Sequence, residues 1–332
     1  VLRNSWAAIA RSEALTDGRA VAKEDASPAA GKAGIVPPEF IMFDRFAPAI
    51  FVLLWSSGWI VAKYAAHHSD ALYFLFLRFS LSALAFTLFC WFSGATWPRS
   101  PRAILHAVFS GVLLHGLYLG PLWWAIEKGV PAGLSGIIAG LQPLLTAIAA
   151  SLWLGERLSR LQKIGLAVGF AGIAIAISPK LASFSMDMLE VQALPLVVNL
   201  LGMFSVTAGT LYQKRHLQKG DIRAIATLQY VGAVLVLLPA SLVIGEWHYD
   251  GSLTAHLSLA WSIFGLSMGA IGLLLMLIRQ GQVARAASLI YLMPPLVAVE
   301  AYLFFGEPLT APIVVGALVV LAGVYLTNRK SA

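Results

Sequence analysis

From Phe46 to Asn328 the chain alternates long apolar runs with short polar gaps in which Arg, Lys, Asp, Gly and Pro collect. Crossing a hydrocarbon layer as a helix takes about 17 to 25 mostly apolar residues, and the runs have this length. They predict helices near Ala47–Ala65, Ala71–Phe92, Ala103–Ile126, Ala132–Leu154 and Leu161–Ser178. A second set of five is predicted near Val191–Gln213, Ile222–Ile244, Leu257–Ile278, Ala284–Phe305 and Pro312–Thr327. The expected fold class is therefore all-α, a polytopic membrane protein of ten transmembrane helices.

Composition supports lipid as the solvent. Of 332 residues, 59% are hydrophobic and 12% charged, against roughly a quarter charged in soluble domains. The formal charge of +7 would suggest nucleic acid in a soluble chain, but here the basic residues sit in the gaps, which makes them a topology signal. With the N-terminus in the cytoplasm, the inner gaps hold Arg45, Arg99, Arg102, Arg157, Arg160, Lys163, Lys214, Arg215, Lys219, Arg223, Arg279, Arg285, Arg329 and Lys330, and the outer side only Lys63, Lys128 and Lys180. Both termini are expected inside, at a bacterial inner membrane. Residues 1–45 form an N-terminal extension with no apolar core of a secretory signal. Residues 1–41 are expected to be disordered or a gene-start artefact ahead of Met42. The single cysteine, Cys90, excludes an internal disulfide or a cysteine metal cluster.

The second half can be laid on the first with a shift of 151 residues. Pro143, Gly155, Glu156 and Leu158 fall on Pro294, Gly306, Glu307 and Leu309. Gly165, Ala171 and Gly172 fall on Gly316, Ala322 and Gly323. Gly58 and Lys63 fall on Gly209 and Lys214, and Leu77-Arg78-Phe79 falls on Leu228-Gln229-Tyr230. Helices 3 and 8 match less well, with a slip of one residue. Leu and Ala coincide easily by chance, but Pro, Gly, Glu and Lys at one constant offset do not. The domains read as residues 46–180, the first repeat, and 181–332, the second repeat with a short tail. Five crossings are an odd number, so the second copy enters from the opposite side and the repeats are inverted. Inverted repeats recur in secondary transporters, where two similar halves open a midplane site alternately to each side.

The stretches Pro143-Leu144-Leu145-Thr146, Leu154-Gly155-Glu156-Arg157-Leu158, Pro294-Pro295-Leu296-Val297 and Phe305-Gly306-Glu307-Pro308-Leu309, with Trp55 to Lys63 and Leu77-Arg78-Phe79, carry a resemblance. They resemble the EamA family of the drug/metabolite transporter superfamily over residues 46–328. The resemblance implies a secondary-active exporter of small metabolites, amino-acid-like or other polar and amphipathic compounds. It also implies a central cavity among helices 1–4 and 6–9, with helices 5 and 10 outside it. A facilitative channel or a lipid flippase without proton coupling is the alternative. The resemblance implies no enzyme activity.

Ionisable groups deep in a bilayer are costly and are functional candidates by default. Glu300 lies six residues before Gly306, about 9 Å along a helix, too deep to reach the surface. It reads as a proton site or a partner for a substrate cation, or else as an ion pair with Arg78 or Lys63. His115, in mid-helix, is a second candidate for proton coupling, against a plain interhelical hydrogen bond. Arg78 can dock a carboxylate or stitch helix 2 to neighbouring carbonyls. Tyr118, Gln142, Asn199, Gln229 and Tyr291 complete the candidate substrate-binding set. Trp59 and Trp124 read as lying nearer the helix ends. Pro143, Pro294 and Pro295 remove backbone donors inside helices 4 and 9, as hinges or static bends. Lys63, Gly155, Glu156, Gly306 and Glu307 read as structural repeat markers. His67-His68-Ser69-Asp70 reads as an outer loop. No metal, cofactor or nucleic acid is implied. The expected partners are a small-molecule substrate, protons as a candidate co-substrate and the lipid bilayer, and a homodimer is an open option.

Overall fold

The computed structural model describes residues 38–154, 158–182, 189–279 and 292–328. Its helices are α1 (Pro38–Ala66), α2 (Ala71–Ser93), α3 (Pro101–Glu127), α4 (Ala132–Ala139, then Leu141–Leu154), α5 (Arg160–Ala182), α6 (Leu189–His216) and α7 (Ile222–Val243). There follow α8 (Leu253–Ala260, continued to Arg279), α9 (Met293–Phe305) and α10 (Ala311–Asn328). Among the described residues eight helices are long and apolar enough to cross a membrane, while Met293–Phe305 and Ala311–Thr327 are shorter apolar helices. No strand occurs among the described residues, only an isolated bridge between Ser69 and Tyr249. Large apolar side chains such as Phe92, Leu152 and Val243 are more than three-quarters exposed, as a lipid-facing surface requires. The chain is a multi-pass membrane protein.

Helix ends are closed by the residues the sequence supplies. Asp70 caps α2 by accepting from Tyr73 N at 2.7 Å, and Asp221 caps α7 by accepting from Arg223 N at 3.0 Å. Each aspartate also reaches across to another loop. Asp70 accepts from Glu246 N after α7, and Asp221 accepts from Thr96 N after α2. Gly94 and Gly306 end α2 and α9 at φ 63° and 66°, a left-handed conformation that costs glycine little. On the loop between α7 and α8, the Ser252 N–H and the His68 ring both bond the Asp250 carboxylate, holding it down at about 2.

Three irregularities sit inside the spans. α3 carries a π-helical turn over Val112–Gly116, and α8 a longer one over Trp261–Gly269. A π turn accommodates an extra residue, which gives a physical reason for the one-residue slip between helices 3 and 8. α4 breaks at Gly140, because Pro143 cannot donate to the carbonyl of Ala139 four residues back. Pro294 and Pro295 differ from expectation. They stand in the first turn of α9 as described, where a missing donor is tolerated, and do not interrupt that helix. The predicted stretch Ala284 to Tyr291, with Gly155 and Glu156, lies outside the described residues.

Close crossings rest on glycine. α5 and α10 approach backbone to backbone. A Cβ on Gly172 would lie 2.6 Å from Val320 N and 2.9 Å from Gly316 O, and one on Gly165 would lie 2.8 Å from Gly323 O. α3 meets α7 through Gly111 against the Gln229 backbone and Gly232 against the Val108 carbonyl. α4 meets α9 through Gly133 against Ala298 and Gly136 against Val297. Such packing supplies the van der Waals contact that holds helices together where lipid removes the hydrophobic drive.

Gly172→Ala is expected to lower the stability of the purified protein by about 1 to 3 kcal/mol, because backbone must move. Gly272→Ala, where nothing lies within 4 Å, should leave the melting temperature unchanged. A neutral Gly172→Ala would contradict the crossing. Asp250 prefers its deprotonated form more in the folded state than at its ordinary 3.8. Its contribution is therefore present above pH 3.8 and lost as pH falls towards 2. Asp250→Asn should flatten the decline in stability measured between pH 4 and pH 2.

Candidate functional site

A cavity of about 400 Å³ lies between α1, α3, α4, α6 and α9. Trp55, Trp59 and Tyr118 line it at mid-helix, and Gln142, Pro143 and Thr146 line it along α4. Gln162, Lys214 and Thr327 carry it to the face where α5 begins and α6 and α10 end. α5 and α10, expected outside the cavity, thus contribute to its mouth through Gln162 and Thr327. Among the described residues that line it, none lies at the opposite helix ends, so on these residues the cavity opens to one side.

The opposite face is closed in layers built on one stripe of α1. Trp55, Trp59 and Lys63 are spaced i, i+4, i+8 and so share a helix face. At the depth of Trp59, the indole N–H donates to Ser135 Oγ on α4 at 3.3 Å, and Asn199 Nδ2 on α6 donates to the same oxygen at 2.8 Å. One turn further out, Lys63 is paired with Glu307 at the end of α9. The same carboxylate accepts from Ala132 N at 2.9 Å and Gly133 N at 3.0 Å. These are first-turn amides of α4, whose own N-cap is Pro131 and offers no side-chain acceptor. Glu307 therefore caps α4 from another helix, where the positive end of the helix dipole favours an anion. The Lys63 ammonium also stands 4.8 Å from the Phe305 ring centre, and Tyr64 packs on the same ring. One carboxylate joins α1, α4 and α9.

The remaining predicted residues among those described do not line the cavity. Glu300 is half-buried between α9 and α1. Its Oε1 accepts from Ser56 Oγ at 2.7 Å, and its Oε2 is buried with no hydrogen-bond partner. The ion pair with Arg78 or Lys63 is not formed, since Lys63 is engaged by Glu307. Arg78 and His115 lie together among aromatic rings between α2, α3 and α7. His115, within the π turn, packs at 5.3 Å on both Phe79 and Tyr230. Arg78 makes no hydrogen bond to neighbouring carbonyls, and its Nε is buried without a partner. Gln229 Nε2 donates to Ser110 at 2.8 Å and to Gln213 at 3.2 Å beside the close α3–α7 crossing. Asn199 is fully buried with its Oδ1 unpartnered. Tyr291 lies outside the described residues.

Trp59, read from the sequence as near a helix end, lines the cavity and is 6% exposed. Ser56 and Ser135 also carry the site, and as isolated serines in apolar helices they leave no pattern in the sequence. The stripe Trp55, Trp59, Lys63 was available from spacing alone. Among the described residues no three His, Cys, Asp or Glu side chains gather as a metal site would.

A bundle of apolar helices around a cavity with polar and aromatic walls defines a polytopic membrane protein with an internal cavity. The model of the EamA-like transporter family matches residues 46–178 and again 194–329, and the chain belongs to that family. Relatives align over most of their length. The chain is 27% identical over 292 residues to a probable amino-acid metabolite efflux pump of Salmonella typhimurium, covering 85% of this chain and 94% of the relative. It is 26% identical to the uncharacterized transporter YvbV of Bacillus subtilis, covering 85% and 90%. A probable terminal-alkyne amino-acid exporter of Streptantibioticus cattleyicolor is 25% identical, covering 86% and 93%. A crystal structure superposes with a TM-score of 0.62 at 15% identity over 85% of this chain and 95% of the other, a likeness of fold.

Glu307→Ala leaves Lys63 and two helix-end amides without their acceptor, and is expected to destabilise the fold by about 3 to 5 kcal/mol. The exchange Lys63→Glu with Glu307→Lys should fail to restore the melting temperature, because an ammonium cannot accept from Ala132 and Gly133. Full rescue by the exchange would reduce the contact to a simple ion pair.

Proposed function

We propose that the chain is a secondary-active exporter of small metabolites, amino-acid-like or otherwise polar and amphipathic, working by alternating access. The observation that carries this reading is the one-sided cavity closed at its far end by the Lys63–Glu307–α4 junction. A permanent channel would be lined to both faces. With both termini in the cytoplasm of a bacterial inner membrane, as the distribution of Lys and Arg favours, the conformation is open to the inside, ready to load an outgoing solute. The relatives named as efflux pumps and exporters of amino acids or their metabolites support the direction and the substrate class. As a member of a transporter family, the chain is read as non-enzymatic.

Two inverted five-helix halves, residues 46–180 and 181–332, supply the two states. Reciprocal contacts favour this. Gly165 meets Gly323 and Gly172 meets Gly316, although Gly165 corresponds to Gly316 and Gly172 to Gly323 in the repeat. That exchange is what a pseudo-two-fold axis produces. Asp70 and Asp221, again 151 apart, make the same pair of contacts on opposite faces. Lys214, the counterpart of the latched Lys63, stands in the open mouth. Glu300 and His115 are the proton-coupling candidates, Glu300 through its unpartnered buried oxygen. Gly140, next to Pro143, is a ready hinge in α4.

In proteoliposomes the purified protein should carry amino-acid-like solutes saturably. A well-folded preparation without saturable flux across a broad metabolite panel counts against transport. A cysteine at Thr210, introduced with Cys90→Ser, should react with an impermeant maleimide from the cytoplasmic side and be slowed when solute is added. Labelling only from outside would reverse the orientation. Glu300→Gln with His115→Ala should flatten the pH dependence of flux, and an unchanged profile would remove both residues from coupling.

A further inference from the structure

Among the described residues, Arg78 is a cation with no anion paired to it. It lies seven residues into α2 (Ala71–Ser93), about 10 Å from the helix start, and is 6% exposed. The ion pairs found among the described residues, Lys63–Glu307, His68–Asp250, Lys128–Glu127 and Arg223–Asp221, do not include it. Glu300, another carboxylate within a span, bonds Ser56 on a different helix pair. A guanidinium cannot shed its proton in a protein, so burial does not neutralise it as it can a lysine. The charge stays, and so does its need for an acceptor.

What surrounds it is a cup of rings. The guanidinium carbon is 5.1 Å from the Phe79 ring centre and 5.6 Å from that of Trp123. Trp123 is 2% exposed and stacked on Phe74 at 5.4 Å. His115 and Tyr230 extend the wall. Ring faces attract the cation but do not satisfy its N–H donors. The second half shows what packing alone needs at this place. Gln229, at the matching position, binds α7 to α3 and α6 with a neutral amide. The duplicated scaffold thus does without the charge. On α3, His115 of the cup stands three residues before cavity-lining Tyr118.

We infer that Arg78 is the docking point for the carboxylate of the exported solute, with Phe79, Trp123 and His115 as flat walls for a planar or apolar group beside it. The inference rests on the exporter reading and narrows it to organic acids and amino acids over amines and neutral compounds. The guanidinium fork matches a carboxylate with two parallel hydrogen bonds, and the low-dielectric cup strengthens them.

The full chain in nanodiscs is titrated calorimetrically with 3-phenylpropionate, benzoate and L-phenylalanine, each against its amide, and with chloride. At least one acid is expected to bind at least about tenfold tighter than its amide, as loss of a charge-assisted hydrogen bond implies. Arg78→Gln, which copies the second half, should abolish that preference. No acid binding more tightly than its amide, or a preference that persists in Arg78→Gln, overturns the assignment. So does chloride binding that depends on Arg78 and excludes no acid, which would mark a resident inorganic ion. If Arg78→Gln does not fold, the acid and amide titrations of the natural chain decide, together with Arg78→Lys, in which the preference should shrink as the fork is lost. Proteoliposome flux separates the two readings. Arg78-dependent acid binding without flux leaves the site and removes the exporter, whereas flux without acid preference does the reverse.

Discussion

Hydrocarbon offers no hydrogen bonds, so every N–H, carbonyl and charge in the spans must find its partner inside the protein. Helices answer this for the backbone except in their first and last turns. At the start of α4 the chain places Pro131 where a capping side chain would stand, and the missing acceptor comes from Glu307 on α9. Since that carboxylate also holds Lys63 of α1, three helices are fastened at one point. The contact lies a turn beyond the Trp59–Ser135–Asn199 layer that closes the cavity. The joining of α1, α4 and α9 at this point is thus a consequence of satisfying a helix end without water.

The same constraint separates the polar groups in the spans into two kinds. Gln229, Ser110 and Gln213 form a hydrogen-bonded cluster over a crossing where Gly111 brings two backbones together. Such a group fixes structure. Arg78 Nε, Glu300 Oε2 and Asn199 Oδ1 are buried without partners, and an unpaired buried polar atom is costly. A solute or a proton that completes them recovers that cost, which is the physical link between incomplete sites and binding. The tight glycine crossings fix α5 against α10, while the π turns in α3 and α8 and the break at Gly140 interrupt the regular helix inside the spans.

Much of this was legible in the chain. Span positions followed from run length, because hydrocarbon thickness fixes how many apolar residues a crossing needs. The glycines at 165, 172, 316 and 323 stood out through their constant spacing and proved to lie at one crossing. Lys63, Gly306 and Glu307 were visible as repeat markers, but not as a junction, because the residues between them in sequence carry no record of which helices touch. The place of Trp59 in the cavity wall is not legible in the chain, since depth alone does not reveal which way a side chain faces. The resemblance to EamA proteins pointed to the family that the match over residues 46–178 and 194–329 establishes.

The sequence by itself determined what kind of solvent surrounds the chain and where its membrane-length apolar runs lie, which rest on composition and local period, and its family, which rests on matched motifs. Partnership was decided only by the tertiary structure. Glu307 went to Lys63 and to α4, Glu300 to Ser56, and Arg78 to a cup of rings with no anion. Each outcome depends on the helix face and the crossing that bring a charge within about 3 Å of a partner. Those quantities arise from packing many helices together, and no single helix encodes them.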